Sequence, residues 1–261
     1  MNIGQNMLRH TFTPHKAIID AIAPTGLGLA IGAGLFAVLS GLGNRWGMWH
    51  FTTGFTILRW SAIAGLVAAA VSLAGGVLSG REFHRTRIYF SLAGILVGAI
   101  VAGIPGSWMM TAQQMPRIHD ITTDMDNPPR FVAIMPLRKE AQNPAEYGGP
   151  QVAVQQRAAF PDIKPLVLPM PVGTAFERAL QTARNMGWDI VEADARNGRI
   201  EAMARTFWFG FTDDIVVRIT PMPGNSRIDV RSVSRVGLSD IGTNAKRVRA
   251  YLRRISEESS S

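Results

Sequence analysis

The segment AIAPTGLGLAIGAGLFAVLSGLG, residues 21–43, contains no charged side chain over 23 positions. As a helix rising about 1.5 Å per residue, it is long enough to cross the ~30 Å hydrocarbon core of a bilayer. Two further segments, residues 60–80 and 88–110, share this property. A buried helix of a soluble protein explains one such segment, but it is a poor explanation for three within the first 110 residues. The sequence therefore predicts a membrane region, residues 1–110, with three transmembrane helices.

The three predicted spans contain no Asp, Glu, His, Lys or Arg, and this argues against a transport function. Proton relays and ion pathways usually need such groups near the bilayer midplane. Glycine pairs four residues apart occur in each span and allow close helix packing. Glycine is also enriched in membrane helices generally, so both interpretations stay open. The pairs are Gly28/Gly32, Gly76/Gly80 and Gly94/Gly98.

Basic residues in the short loops predict the direction of insertion. The segments on one side of the membrane carry five Lys or Arg residues, and the loop on the other side carries two. By the positive-inside rule, the amino terminus lies in the cytoplasm and everything after Met110 lies outside. For a bacterium this predicts a multi-pass inner-membrane protein with a periplasmic carboxyl-terminal domain. The five are Arg9, Lys16, Arg81, Arg85 and Arg87, and the two are Arg45 and Arg59.

The formal net charge of +8 does not by itself indicate a nucleic-acid-binding protein. Residues 1–110 carry seven Lys or Arg residues against two acidic ones, whereas residues 111–261 carry twenty against seventeen. More than half of the excess therefore lies in the apolar half, and we expect no nucleic-acid partner. The chain has no cysteine, which excludes disulfides and thiolate metal sites. No phosphate-binding or nucleophile motif is present, and no cofactor is expected.

The composition changes after Met110. Residues 111–160 are rich in Pro, Asn, Asp and Gln, which predicts a connector with short ordered pieces. One of those pieces is a predicted strand at residues 131–137. Residues 161–257 are periodic and are predicted to form an α+β domain, followed by a tail at residues 258–261.

The α+β domain is predicted from alternating helix and strand patterns. Apolar residues at helical spacing over residues 172–186 indicate an amphipathic helix. A second helix, capped by Ser239 or Asp240, closes the domain. Between the helices, a four-stranded antiparallel sheet is predicted, covered on one face by the two helices. The strands are predicted at residues 188–193, 200–208, 215–219 and 228–233, and Asn197-Gly198 is the turn between the first two.

The second half resembles the bacterial and plastid family called domain of unknown function 1499. The resemblance extends over residues 118–254, about half of the chain. It implies the family's fold and a setting at an envelope or organelle membrane, and it implies no reaction. The matching stretches are IHDITTD (118–124), NPPRF (127–131), YGG (147–149), FPDIKPL (160–166), MGWDIV (186–191), GRIEA (198–202), TFWFGFTDDIVVR (206–218) and RIDVRSVSRVGLSDIGTNAKR (227–247).

Two groups of acidic residues are weak candidates for chemistry. His119, Asp120 and Asp124 could hold a divalent ion, but residues of these types in a loop more often bond the local backbone. The adjacent Asp213 and Asp214 could act as paired carboxylates. Neighbouring strand residues point to opposite faces of a sheet, however, and we expect this pair to lie in a turn.

A set of Arg, Asp and Asn residues is the main candidate for binding an anion or a partner. Asp229 and Arg231 share one side of the last predicted strand, and the neighbouring strand can bring Arg218 close to them. Such a set is usually a salt-bridged sheet face, but Arg also offers bidentate contacts to carboxylate or phosphate. The candidates are Arg218, Asp229, Arg231, Arg235, Asp240, Asn244 and Arg247.

Two kinds of function remain open at this point. The favoured hypothesis is a membrane-anchored envelope protein that presents a non-catalytic module for binding protein, lipid or an apolar ligand. Its partners would be the bilayer, other envelope proteins, or anionic lipid headgroups that meet the cations of the last helix. Exposed aromatic residues among positions 207–211 would mark such a surface. The alternative is a hydrolase acting on an envelope phosphate or lipid, with Arg218, Arg231 and Arg235 binding the anion and an Asp performing the chemistry.

Overall fold

A computed structural model describes residues 14–79 and 85–257, and the chain divides into two compact units, Met1–Met109 and Met110–Ser261. Several positions named above lie outside the described residues, and so does the predicted tail. These positions are Arg9, Gly80, Arg81 and residues 258–261.

The described part of the first unit consists of three long helices, as predicted from the charge-free segments. They are α1 (Pro14–Arg45), α2 (Phe51–Ser79) and α3 (Arg85–Gln114), and α3 continues into the second unit. Each is long and apolar enough to cross a membrane. Their exposed side chains are largely apolar, as expected for helices that are hydrophobic on all sides. Examples are Leu35, Phe36, Trp60, Val77 and Leu96.

One of the predicted glycine pairs lies at a close helix contact. A Cβ atom at Gly98 would lie 2.5 Å from the Gly65 carbonyl oxygen, and one at Gly94 would clash with Ser72. A side chain at Gly28 or Gly32 would meet nothing within 4 Å. Close packing therefore explains the pair on α3, whereas the pair on α1 has no such role.

The second unit is built on a six-stranded antiparallel sheet, not the four-stranded sheet predicted from the sequence. The strand order is β1-β6-β5-β4-β3, and β2 also pairs with β6. The two strands missed, β1 and β2, have three residues each and line one edge of β6 end to end. The strands are β1 (Asp120–Thr122), β2 (Leu166–Leu168), β3 (Asp189–Asp194), β4 (Arg199–Arg205), β5 (Thr212–Met222) and β6 (Asn225–Ser234).

Two further details differ from the sequence prediction. Strand β4 ends at Arg205 and not at Trp208, because Thr206 and Phe211 hydrogen-bond each other and close the segment between them into a loop. Residues 131–137 do not form a strand; they contain a turn and the start of a 3₁₀ helix, Met135–Arg138. Pro136 in this helix has no N–H to donate to a strand ladder.

Helices α5 (Val172–Asn185) and α6 (Thr243–Glu257) cover one face of the sheet, as predicted. Ile215 and Val230 point from the sheet into the core between them. Within that core Trp188 stacks on Tyr251 with ring centroids 4.7 Å apart, and the Tyr251 hydroxyl donates to a backbone carbonyl of α5 at 2.8 Å. A shorter helix, α4 (Gly149–Ala159), lies within the predicted connector.

The opposite face of the sheet is covered by the irregular segment 123–148. Phe131 and Ile134 of this segment pack on Val216 and Val233 in a small second apolar cluster. The segment predicted as a connector is therefore a layer of the second unit, and the sheet lies between it and the helices.

Candidate functional site

The face of the sheet beneath segment 123–148 carries most of the candidate polar residues, and we call it the polar face. Because side chains alternate along a strand, Ile215 and Val217 point to the helices while Asp214, Val216 and Arg218 point the other way. The same alternation in β6 puts Asp229 and Arg231 on the polar face, as the sequence predicts. Residues Arg199 and Glu201 of β4 lie on it as well.

Arg231 is at the centre of the polar face and is only 2% exposed. Its Nε and Nη2 atoms donate to the Asp120 carboxylate at 3.0 and 2.7 Å. The same guanidinium donates to the Pro129 and Ala145 carbonyl oxygens at 3.1 and 2.7 Å. It also lies within 6 Å of the ring centres of two aromatic residues of the covering segment. Arg231 therefore ties β1 and segment 123–148 to β6.

A second buried carboxylate, Asp214, is held by two arginines. Arg235 donates to it from Nε and Nη2 at 2.9 and 2.8 Å, and Arg138 of the covering segment is hydrogen-bonded to it as well. Arg138 also donates to the Asn143 carbonyl at 2.9 Å. The Asn143 side chain in turn donates to the carbonyl oxygens of Ser234 and Gly237. Segment 123–148 is thus fixed to the sheet at this point too.

Two aspartates and two arginines form a closed cluster at the other end of the polar face. Arg218 bridges Asp124 and Asp229 with distances of 2.9 Å to each. Arg227 bridges the same two carboxylates at 2.8 and 3.0 Å. The structure therefore brings together Arg218 and Asp229, as predicted, but their charges neutralise each other within the fold.

Glu201 was not among the residues singled out from the sequence, although it is fully buried. Its carboxylate accepts hydrogen bonds from the backbone N–H groups of residues 132, 133 and 134 at 2.8, 3.1 and 2.9 Å. Arg199 forms an ion pair with it at 2.9 Å. A Glu between two apolar residues of a strand, Ile200 and Ala202, is a signal for such a buried polar contact.

The remaining candidates lie on the helix side of the sheet. Arg247 pairs with Asp213 at 2.6 Å, and Asn244 donates to the His119 carbonyl oxygen at 3.0 Å. Asp240 precedes α6 and accepts from the backbone N–H groups of Gly242 and of Asn244 in the first turn of the helix, so its predicted capping role is confirmed. Burial raises the pKa of the Asp240 carboxyl group. Asp240, Asn244 and Arg247 are therefore separated from Arg231 by the sheet.

The fold separates the residues within each of the two weak candidate groups, His119/Asp120/Asp124 and Asp213/Asp214. Asp120 faces Arg231, whereas Asp124 faces Arg218 and Arg227. Among the described residues, no group of three His, Cys, Asp or Glu side chains could hold a metal ion. The expectation that Asp213 and Asp214 form a turn was wrong. Both lie in β5, where each is buried and paired with arginine on its own side of the sheet.

The cations of α6 are mostly engaged within the protein. Besides Arg247, Arg249 is bidentate to Asp162 at 2.5 and 2.6 Å, and Arg253 lies 3.8 Å from Glu257. This face of α6 is therefore a partly paired charged surface, and only some of its cations remain available to lipid headgroups.

Exposed apolar side chains gather at one end of the sheet, which we call the tether end because the chain arrives there from α3. The Ser239 hydroxyl donates to the Pro116 carbonyl at 3.1 Å, which fixes the arriving chain beside the loop after β6. Phe207 in the β4–β5 loop is 85% exposed, and Leu238 in the loop after β6 is 74% exposed. Leu137 lies at the same end, because its carbonyl accepts from Arg235 at 2.8 Å.

Two adjoining clefts lie beside segment 123–148, and both are lined by Pro128 and Arg130. The smaller, of about 230 Å³, also has Asn197, Arg199 and Arg218 in its walls. The larger, of about 510 Å³, is lined by aromatic, apolar and charged side chains. These are Phe131, Met135, Ala145, Glu146, Tyr147 and Arg231.

The second unit coincides with a family match. The family described as "Protein of unknown function (DUF1499)" matches residues 120–255, which is more than half of the chain. The match begins at β1 and ends within α6, so it includes the whole sheet, all of α5 and most of α6. The resemblance predicted over residues 118–254 is therefore confirmed. No curated protein matches the chain.

Proposed function

The chain belongs to the DUF1499 family of proteins of unknown function, and on that premise we propose that it is a membrane-anchored envelope protein with a non-catalytic, lipid-binding module. The three apolar helices are the anchor. The second unit lies outside the cytoplasm, and in a bacterium the protein occupies the inner membrane with this unit in the periplasm. The distribution of basic residues between the short loops supports this orientation.

The observation that carries the proposal is the composition of the tether end. Four exposed or partly exposed apolar residues, Leu137, Phe207, Leu238 and Ile241, lie there. Exposed cations flank them, and Glu140 is the exposed acid beside them. Apolar tips combined with Lys and Arg are typical of surfaces that sit at the boundary of an anionic bilayer. The cations are Arg117, Lys139, Arg205 and Lys246.

The path of the chain favours lipid over a protein partner at this surface. Helix α3 ends at Gln114, only four residues after the last residue of the charge-free segment, Met110. At about 1.5 Å per helical residue, the chain reaches Pro116 within roughly 10 Å of the apolar segment. The tether end is therefore within reach of headgroups, and its apolar side chains would otherwise be exposed to water.

The ion pairs of the polar face support a non-catalytic role. Arg218, Arg231 and Arg235, the anion-binding residues of the hydrolase alternative, are each bound to a carboxylate of the same chain. The aspartates on this face are committed in the same way. These groups hold segment 123–148 on the sheet, and a reacting substrate would have to break the pairs that fix it.

Lipid contact at the tether end can be measured directly, because the chain has no cysteine. The variants Phe207→Cys and Leu238→Cys, labelled with an environment-sensitive fluorophore, are reconstituted as full chains in vesicles of phosphatidylethanolamine and phosphatidylglycerol. We expect blue-shifted emission and strong quenching by brominated lipid. The matched control is Met222→Cys, an exposed apolar position at the opposite end of β5. Equal emission from all three labels, without quenching, would contradict the proposal, and protection without quenching would point to a protein partner.

The orientation is tested with the same control variant. In bacterial spheroplasts, a membrane-impermeant maleimide is expected to label Met222→Cys before lysis. Thr86→Cys, at the exposed start of α3 on the predicted cytoplasmic side, is expected to react only after lysis. The reverse pattern would place the second unit in the cytoplasm.

A further inference from the structure

Arg130 differs from the other arginines around the polar face. Among the described residues, the others are each ion-paired with an Asp or Glu of the same chain, whereas Arg130 is exposed and has no such pair. It lines both of the adjoining clefts, so a single guanidinium group projects where the two meet. The paired arginines are Arg138, Arg199, Arg218, Arg227, Arg231 and Arg235.

Two more hydrogen-bond donor atoms in the cleft walls have neither a hydrogen bond nor an ion-pair contact within the described residues. The Nε atom of Arg218, in the smaller cleft, is buried and has no hydrogen-bond partner there. The hydroxyl group of Tyr147, in the larger cleft, is buried without a partner as well. Burial raises the pKa of Tyr147 to about 12, so the hydroxyl stays protonated and can donate. Buried donors are rarely left without an acceptor.

Each of these groups can donate a hydrogen bond, and the two guanidinium groups can only donate, so their natural complement is a ligand rich in oxygen acceptors. We propose that the two clefts together bind a ligand that carries a phosphate group and an apolar portion, with Arg130 as the principal phosphate contact. A guanidinium makes bidentate, charge-assisted hydrogen bonds to phosphate. A tetrahedral phosphate also offers more oxygen atoms than a carboxylate to donors on different walls. Phe131, Met135 and Pro128 supply apolar surface for the rest of the ligand.

The smaller cleft, with the junction at Arg130, is distinct from the lipid-facing surface proposed above. Arg218 lies five residues along β5 from Asp213, which is beside the tether end. At the usual rise of strand residues this is roughly 17 Å. Glu146 is the exposed acid in the larger cleft, and it disfavours a second negative charge there. The ligand therefore presents one phosphate group, and not a row of charges, to Arg130 at the junction of the clefts. Because this junction is not part of the tether end, it can bind phosphate even if the tether end does not meet lipid.

Binding is tested by calorimetric titration of the full chain in dodecyl maltoside micelles. The probes are inorganic phosphate, dihexanoyl phosphatidic acid and dihexanoyl phosphatidylcholine, which has the same tails but a blocked phosphate. Phosphatidic acid is expected to bind more tightly than phosphatidylcholine. Stronger binding of phosphatidic acid than of inorganic phosphate would support the proposal, because only the lipid also offers an apolar portion. Comparable binding of the two would overturn the apolar part of the proposal.

Variants separate this site from general charge attraction. Arg130→Gln is expected to weaken phosphate binding about tenfold or more, because it removes a charged, bidentate donor. Tyr147→Phe, which removes only the hydroxyl group, is expected to weaken it by a smaller factor. Arg184→Gln changes an exposed arginine of α5 and is expected to bind as the parent chain does. If no probe binds the parent chain, or if Arg130→Gln binds as well as Arg184→Gln, the proposal is wrong.

Discussion

Arg231→Leu is expected to lower the free energy of unfolding of the second unit by about 3–5 kcal/mol. The substitution leaves the Asp120 carboxylate buried without its guanidinium, since both Asp120 oxygens accept from Arg231. It also removes the donor to the Pro129 and Ala145 carbonyl oxygens, which hold segment 123–148 in place. The measurement is urea unfolding of the full chain in micelles, followed by tryptophan fluorescence.

The loss in free energy of unfolding caused by Arg231→Leu, called the deficit below, is expected to depend on pH. Burial raises the pKa of Asp120 by more than Arg231 lowers it, and without Arg231 the pKa rises further. The folded variant then binds a proton at Asp120 more tightly than the unfolded chain does. Its free energy of unfolding therefore rises as the pH falls towards the ordinary Asp value of about 4. We expect a smaller deficit at about pH 5 than at about pH 8.

The control is the double variant Asp120→Leu/Arg231→Leu. Replacing both members of a buried ion pair by apolar residues is often neutral, so the double variant is expected to be more stable than Arg231→Leu alone. If the effects of the two substitutions simply add, the pair does not act as a unit. A deficit in Arg231→Leu that is unchanged between the two pH values would show that Asp120 is not the group left uncompensated.

The elements that the sequence predicts well are those whose pattern is contained within their own residues. The apolar helices are recognisable from composition, because a span of lipid-crossing length needs no partner to be identified. Helix α5 carries a helical pattern, strand β6 an alternating one, and strand β5 a run of β-branched residues. Tertiary contacts then change only the positions at which these elements end.

The missed elements depend on contacts that are distant in sequence. Strands β1 and β2 are too short to show a pattern, and each exists because β6 offers an unpaired edge. Helix α4 buries only Ala153 and Gln156 on its sheet-facing side, so it has no apolar stripe. The buried amide of Gln156 instead bonds both the N–H and the carbonyl group of Thr122 in β1.

The candidate site was predicted only where its pattern is local in the sequence, and it was missed where it depends on distant contacts. Alternation along β6 correctly puts Asp229 and Arg231 on one face, because that is a local property of a strand. The partner of Arg231 is 111 residues away along the chain, and nothing in a single sequence joins the two. Asp213 and Asp214 were assigned to a turn because Asp is common in turns and neighbouring strand residues point to opposite faces of a sheet. Two adjacent carboxylates can be buried in a strand only if arginines from elsewhere in the chain reach them. The fold supplies those arginines on both sides of the sheet.

The second large effect is expected at Asp214. Asp214→Asn removes the charge that compensates Arg138 and Arg235, and the side chain of Arg138 is only 4% exposed. An uncompensated buried guanidinium is expected to cost about 3–5 kcal/mol in the free energy of unfolding. Asparagine has nearly the shape of aspartate, so the loss reports charge and hydrogen bonding and not packing volume. The measurement is again urea unfolding of the full chain.

Asp162→Asn is the matched control, because it makes the same chemical change in another arginine pair. The Asp162 side chain is 55% exposed, and its partner Arg249 is 39% exposed. Water screens this pair, so its loss is expected to cost less than about 1 kcal/mol. The difference in free energy of unfolding between the two variants measures how much burial of the charges strengthens the ion pairs of the polar face. If Asp214→Asn were as mild as Asp162→Asn, the ion pairs would not hold segment 123–148 on the sheet. The arginines of this face would then be free to serve a ligand, and the non-catalytic interpretation would lose its main support.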